Sequence, residues 1–268
     1  ASGGNDKTRF YLGGNYYNED GALKANNLQR TGLRFNIDHN INKKLSVLGS
    51  FNMIFDKKNS SPITGNNYIL PWFAPNGQKS LGKDALNNNI QNPIYDLPYN
   101  NSTTKSQQLM ATMGLRYKIA EWIDVSSTNT YSTNQSKYES YQDRLSIAGE
   151  LAKGSLSLNN NQGYSFMSSN LLNARYSFGK HSVGGLLGGE FNRNYNEFTG
   201  FGVKNIPTGV KVPAAASEVA NMSNGKPYSG EKFVKVVYST FTEGNYNYAE
   251  KYFGTASFRR DYSTNFRM

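Results

Sequence analysis

Apolar and polar side chains alternate with a period of two along most of this chain. The clearest stretch is 31–39, in which Leu33, Phe35 and Ile37 are separated by polar residues. A period of two places successive side chains on opposite faces of a β-strand. The pattern recurs in the stretches 7–17, 45–56, 108–119, 123–131, 172–178, 183–191, 245–248 and 252–259. The chain is therefore predicted to be all-β and antiparallel, with about nine strands of roughly ten residues each.

The connections between the predicted strands alternate between short and long. The short ones are 40–44, 120–122, 179–181 and 249–251, and the long ones are about 18–28, 57–106, 132–164 and 193–235. Tight turns at one end and long loops at the other are typical of outer-membrane β-barrels, whose tilted strands need about 9–11 residues to cross a bilayer. We expect the last three long loops to be extracellular.

Aromatic side chains gather beside the short turns. They are Tyr117, Trp122, Tyr176, Phe178, Tyr246, Tyr248 and Tyr252. Membrane barrels carry such aromatic girdles at the bilayer interface, although strand aromatics occur in any β-protein. An odd number of strands would leave unpaired edges in lipid, so the nine strands are expected to be part of a larger transmembrane β-barrel.

Composition narrows the chemistry that the chain can carry. It has no Cys and only two His, which excludes disulfides and thiolate sites, and we expect neither a metal nor a cofactor. The formal charge is +10, but no run of Lys or Arg exceeds two residues, so no nucleic-acid partner is expected. No apolar run approaches ~18 residues, which excludes a transmembrane helix but not barrel strands.

Six short motifs resemble the SusC/RagA family, the TonB-dependent outer-membrane transporters of Bacteroidetes. They are SGGNDKTRFY at 2–11, RFNIDH at 34–39, FGKHS at 178–182, GGE at 188–190, YNYAEKY at 246–252 and ASFRRD at 256–261. Residues 262–266 depart from the Gly-Ser-Ser-Arg-Phe that usually follows in this family. The resemblance lies in the strands and fades in the long loops.

The resemblance implies that residues 1–268 are the N-terminal part of a barrel of about 22 strands whose plug domain lies outside them. It implies a multi-pass location in the bacterial cell outer membrane, in contact with its lipid. It also implies import of oligosaccharides or peptides, driven by the TonB complex through the missing plug. A SusD-like lipoprotein is the implied partner at the cell surface.

The long loop 57–106 contains the best candidates for ligand contact. Exposed aromatics on a long loop mark a binding surface or a packed lid, and sugar rings stack on aromatic faces. The substrate-binding candidates are Tyr68, Trp72, Phe73, Tyr95 and Tyr99. The same side chains could instead pack the loop on the barrel rim or on the lipoprotein.

Charged residues on the polar faces of the strands form a second candidate set. A water-filled lumen tolerates charge, and Asp38 and Asp56 are expected to face it. The residues expected to face the lumen and grip the plug are Arg30, Arg34, Arg116, Arg175, Arg259 and Asp261. They could bind substrate instead, but the guanidinium fork of arginine suits ion pairs with a polar plug.

Three classes of function remain open: a transporter, a surface carbohydrate-binding or adhesin β module, and an outer-membrane enzyme. An enzyme is not expected, because His39 and His181 lie at strand ends beside tight turns and no catalytic constellation stands out. Apolar positions buried between two stacked sheets would favour the adhesin-like module over the transporter.

Overall fold

The computed structural model of the chain describes residues 1–61, 77–83, 89–92, 94–220 and 228–267. These residues form antiparallel β-strands, with a 3₁₀ turn at Pro213–Ala215. No helix in the described ranges is both long enough and apolar enough to span a membrane.

Eleven strands form one antiparallel sheet, and two others form a separate hairpin. In chain order the strands are β1 Ser2–Gly4, β2 Thr8–Asp20, β3 Asn27–Asn40, β4 Leu45–Ser60, β5 Ser80–Lys83, β6 Asn89–Gln91, β7 Asn101–Ala120, β8 Ile123–Gln142, β9 Ser155–Phe178, β10 His181–Lys204, β11 Glu218–Val219, β12 Tyr228–Tyr248 and β13 Tyr252–Arg267. The main sheet has the order β1-β2-β3-β4-β7-β8-β9-β10-β12-β13, with β11 beside β10, and the hairpin is β5-β6.

Nine strands of the main sheet are long, which confirms the predicted all-β fold and its number of strands. They run from 13 residues in β2 to 24 in β9 and β10. Within the described residues the two ends of the sheet do not pair with each other, so the sheet is an open segment.

Tight turns join the long strands at one end of the sheet, as predicted. They occupy residues 41–44, 121–122, 179–180 and 249–251. Gly179 has a φ of 57°, the positive value that a two-residue hairpin needs at its first central position. We call this the turn end of the sheet and the opposite end the loop end.

The long segments at the loop end are shorter than the sequence pattern predicts. They cover 61–100, 143–154 and 205–227, where the pattern predicts 57–106, 132–164 and 193–235. Many of the extra strand residues are polar, as in the NNNQ stretch 159–162 of β9, and the apolar ones among them do not alternate regularly with polar ones. Backbone ladders need no alternation of side chains, so pairing continues there without the signal that marks a strand in the sequence.

The register places polar and apolar side chains on opposite faces of the main sheet. Residues directly opposite each other in an antiparallel pair share a face. Arg34 lies opposite Asn52, whereas Phe35 lies opposite Phe51. We call the face that carries Arg34 the polar face and the face that carries Phe35 the apolar face.

The polar face is the more crowded of the two. On this face, an added Cβ atom would collide with a nearby side chain at Gly13, Gly32, Gly163, Gly184 and Gly188. On the apolar face, no heavy atom would lie closer than 3.9 Å at Gly185, Gly189, Gly244 and Gly254. Gly49, crowded by Ile37, and Gly3, crowded by Phe10, are exceptions on the apolar face. Side chains converge on the inner side of a curved sheet, so the polar face is the concave one.

Side chains on the apolar face are exposed rather than covered by a second sheet. Phe35 is 36% exposed, Met113 54%, Leu187 57% and Phe258 65%. The buried apolar cluster of the described residues lies instead at the loop end and consists of Tyr141, Leu156, Val203 and Ile206. Exposure of the apolar face contradicts the stacked sheets that the adhesin-like module requires. A contiguous apolar surface of this kind needs a partner or a membrane.

Candidate functional site

Two of the five aromatic candidates lie in the described part of segment 61–100. Tyr95 and Tyr99 belong to a turn of residues 94–99, and their ring centroids are 5.4 Å apart. The pKa of Tyr95 is raised, mainly by burial of its ring and to a smaller extent by a hydrogen bond with Tyr99. The other three candidates lie outside the described residues and stay predictions: Tyr68, Trp72 and Phe73.

Lys79 links this tyrosine pair to the neighbouring segment 143–154. Its ammonium nitrogen lies 5.7 Å from the centroid of the Tyr95 ring and 3.0 Å from Oε2 of Glu150. The hydrogen bond with Glu150 raises the pKa of Lys79, so the ammonium stays charged at neutral pH. Because both groups are exposed, the pair serves to orient the loop more than to stabilise it.

Asp96 fastens the tyrosine turn to the same segment. Its carboxylate accepts hydrogen bonds from the backbone N–H of Ile147, at 2.7 Å, and of Ala148, at 3.1 Å. It also accepts one from the side-chain amide of Asn100, at 3.2 Å. Hydrogen bonds to an ionised carboxylate are stronger than neutral ones. The two tyrosines therefore stand on a platform that is tied to its neighbour.

Asp143 joins segments 143–154 and 205–227 at the loop end. Its carboxylate accepts hydrogen bonds from the N–H of Leu145 at 2.9 Å, the hydroxyl of Tyr141 at 2.8 Å and the N–H of Gly209 at 2.8 Å. Burial acts to raise the pKa of Asp143, but these hydrogen bonds outweigh burial and hold the pKa below its ordinary value.

All six charged candidates lie on the polar face, as the register shows. Three arginines form ion pairs: Arg30 with Asp56 at 2.7 Å, Arg116 with Asp124 at 3.0 Å, and Arg259 with Glu190 at 2.9 Å. Arg259 also contacts Asp261, at 2.9 Å. The charges of this face are thus largely neutralised within the sheet.

The other two candidate arginines of the polar face form no ion pair in the described structure. Arg34 and Arg175 are exposed and, among the residues described, have no carboxylate within 4.0 Å. Their guanidinium groups are free to meet another polypeptide or a ligand. That the six residues face a lumen and grip a plug stays a prediction.

A cavity of about 930 Å³ opens on the polar face at the turn end. Its basic lining residues are Lys43, Lys44, Arg116, Lys118 and Arg175. The acidic ones are Glu121 and Asp124, so positive charge is in excess. Such a cavity suits carboxylate groups supplied from outside the sheet.

Sequence reasoning missed three lysines of this cavity. Lys118 follows Arg116 by two residues, so the period of two could have placed it on the same face. Lys43 and Lys44 lie in a tight turn, where alternation gives no direction. Their approach to the cavity depends on the folded turn.

Both histidines are hydrogen-bonded beside tight turns. Nδ1 of His39 lies 2.7 Å from Oγ1 of Thr8, and Nδ1 of His181 lies 2.6 Å from the hydroxyl of Tyr246. In the part of the chain that the structure describes, no group of three or more His, Cys, Asp or Glu side chains could hold a metal ion. That the protein is no enzyme and needs no metal or cofactor stays a prediction.

Comparison with known proteins gives relatives of one kind. No family model matches the chain. It is similar to TonB-dependent receptor P3 of Formosa agariphila, with 25% identity over 287 residues that cover 99% of this chain and 28% of that protein. The RagAB peptide transporter has a similar structure, with a TM-score of 0.80, 14% identity, and coverage of 98% of this chain and 31% of that one.

A more distant structure has the same fold. The ferric citrate transporter FecA in its unliganded form matches with a TM-score of 0.59 and 9% identity, over 99% of this chain and 34% of that one. The chain spans less than a third of the length of the curated relatives it matches.

Proposed function

We propose that this chain, a β-barrel segment of the TonB-dependent receptor type in the bacterial outer membrane, forms part of a nutrient importer. The expected resemblance to the SusC/RagA family is confirmed by its relatives, as are the barrel fold and the outer-membrane location. Import itself is a property of the whole receptor, of which these residues are one part.

The two-faced sheet is the observation that carries this proposal. Along β4, the apolar face runs from Leu45 to Phe55, ten residue steps. At ~3.4 Å per residue and a tilt of ~45°, that stretch covers ~24 Å of depth. Outer-membrane barrels have an apolar band of about 25 Å and a polar interior. The apolar face therefore lies against lipid, and the polar face lines the path of the substrate.

The substrates that we propose are oligosaccharides or peptides, met first at the loop end. Tyr95 and Tyr99 support this, because aromatic rings give a contact surface with little conformational freedom to lose. Asp96 and Lys79 hold the pair in place. RagAB is a peptide transporter, but its likeness at 14% identity concerns the fold and does not choose between the two substrate classes.

The partners that we propose are a plug, the TonB complex and a SusD-like lipoprotein. The basic cavity at the turn end would receive acidic side chains of the plug, with Arg175 free to form new ion pairs. The ion pairs of Arg30, Arg116 and Arg259 would present a polar wall to the plug. The lipoprotein would cover the loop end, where the proposed substrate contacts lie.

Uptake by cells that carry the full-length receptor tests the proposal. Labelled oligosaccharides and peptides should enter wild-type cells only when the TonB complex is energised. The double variant Tyr95→Ala/Tyr99→Ala should lose about tenfold or more of uptake, since aromatic contacts are worth about 0.5–1.5 kcal/mol each beyond their area.

Leu151→Ala is the matched control, because Leu151 is 97% exposed on the adjacent segment and its side chain has no partner in the described structure. Its uptake should equal that of the wild type at equal surface level. Uptake of neither substrate class, or uptake that continues without TonB, would overturn the importer. Normal uptake by the double variant would remove only the assigned role of the tyrosines.

A further inference from the structure

Three lysines lie side by side on the apolar face, towards the loop end. Lys57 is directly opposite Lys105, and Lys105 is directly opposite Lys137. We call these three residues the lysine row. All three are exposed. Since neighbouring strands are ~4.8 Å apart, the row is ~10 Å wide.

Within the described residues, no acidic group neutralises the lysine row. In the described structure, none of the three ammonium groups forms a hydrogen bond or an ion pair. Glu139 is on the same face, two residues from Lys137, but it does not come within 4.0 Å of any of them. Like charges directly opposite each other destabilise a sheet. An anion bound from outside the protein would therefore stabilise the lysine row.

The depth of the row identifies where that anion is. Each lysine is twelve residues along its strand from the in-register residues Leu45, Tyr117 and Val125 at the turn end. That separation is ~41 Å along the strand, or ~29 Å of depth at a tilt of ~45°. The apolar band ends after about 25 Å. The lysine row thus lies at the level of the lipid headgroups in the outer leaflet.

A groove of about 970 Å³ adjoins the row on its loop-end side. The lysine row lines it together with Leu158, Phe201 and Tyr228, which share the apolar face. Polar side chains line it as well, among them Asn59, Thr103 and the carboxylate of Glu139. The aromatic rings give a contact surface for sugar rings, and the amide and hydroxyl groups of the lining can form hydrogen bonds with sugar hydroxyls. The groove offers room for the sugar headgroup of a glycolipid.

We propose that the lysine row binds the phosphate groups of a glycolipid in the outer leaflet, and that the groove receives the sugars of its headgroup. Ammonium groups form charge-assisted hydrogen bonds with phosphate. Lysine stems lie along apolar surface while the charged ends reach the interface. The acyl chains of the same lipid would cover the apolar residues directly below the row. This inference rests on the outer-membrane location and is independent of import.

Lipid binding by the full-length receptor tests the inference. Delipidated receptor in detergent is mixed with purified lipopolysaccharide, and the lipid retained per receptor is measured by native mass spectrometry. The triple variant Lys57→Gln/Lys105→Gln/Lys137→Gln should retain at least tenfold less. The triple Lys→Arg variant at the same positions should retain as much as the wild type, which shows that charge and not lysine itself is needed.

A control variant removes the same charge elsewhere. Lys153→Gln/Lys180→Gln/Lys251→Gln changes three exposed lysines outside the row and should retain lipid normally. Heat-modifiable migration on gels, in which unheated and boiled samples run at different positions, establishes that every variant is folded. Equal retention by the row variant, or equal retention of dephosphorylated lipopolysaccharide, would overturn the proposal. So would full competition by millimolar inorganic phosphate, or loss of an associated acidic lipoprotein in place of the lipid.

Discussion

The polar and apolar faces of the sheet hold their charges in opposite ways. On the polar face, Arg30 lies opposite Asp56 and forms an ion pair with it. On the apolar face, Lys57 lies opposite Lys105, and neither has an acidic partner in the described structure. Both arrangements are set by the register of the same strand, β4, and they stand one residue apart along it.

The difference shows which face neutralises its charges within the sheet and which face does not. A face whose charges are paired across strands keeps its geometry without help from outside. A face with aligned like charges becomes more stable when its surroundings supply the counter-charge. For a barrel wall, the first condition suits a lumen that opens to water, and the second suits contact with an anionic lipid surface.

The largest predicted effect comes from placing a carboxylate on the apolar face instead of on the polar face, at two adjacent residues. Phe35→Asp would place a carboxylate on the apolar face, which we expect to cost about 2 kcal/mol or more and to block barrel assembly. Asn36→Asp is the matched control, because Ser50 Oγ donates to Oδ1 of Asn36 at 2.9 Å and can donate equally to a carboxylate. Surface level of the full-length receptor measures both. Equal levels of the two variants would contradict the assignment of faces.

A smaller effect is expected from breaking one ion pair of the polar face. The Arg30 side chain is 46% exposed and that of Asp56 14%, so Asp56→Asn should lower the free energy of unfolding by about 1 kcal/mol. Denaturant unfolding of the receptor in lipid vesicles measures this, with Asp6→Asn as a control at an exposed turn.

A double-mutant cycle separates the pair from its surroundings. Adding Arg30→Gln to Asp56→Asn should cost less than the sum of the single changes, because the two side chains act together. The coupling should shrink in high salt, which screens exposed charges. Additive effects at low salt would show that the pair contributes nothing to the polar face.

The smallest predicted effect is local and concerns a carboxylate that is held by hydrogen bonds rather than by a cation. The pKa of Asp143 is held below its ordinary value, so its contribution to stability is complete above pH ~4 and is lost as the pH falls through the lowered value. Hydrogen exchange at the amides of Leu145 and Gly209, corrected for its intrinsic pH dependence, should then accelerate.

The Asp143→Asn variant provides the control for this prediction. Its amides at Leu145 and Gly209 should exchange faster at neutral pH and show no further acid transition. An identical acid transition in wild type and variant would assign the loosening to another group. Loss of protection in the wild type already at a pH above ~4, the ordinary value for aspartate, would contradict the lowered pKa.

Much of the fold could be predicted because strand signals are local. Alternation in 31–39 and 45–56 identified β3 and β4, and the tight turn between them followed from the polar residues that separate them. The ends of β8, β9 and β10 could not be predicted, since backbone pairing continues there through residues that do not alternate between apolar and polar. The candidate site was predicted in part: the six charged residues share a face, whereas the lysines of the basic cavity were missed.

The sequence by itself determined which side chains of a strand share a face of the sheet. Alternate residues of a strand point to opposite faces, and this holds whatever the strand pairs with. Only the tertiary structure decided which residues stand next to each other across strands. Lys57, Lys105 and Lys137 are far apart in the chain and become one row through the pairing of β4, β7 and β8. Register depends on contacts between distant segments, and a shift by a single residue would have moved each side chain to the other face.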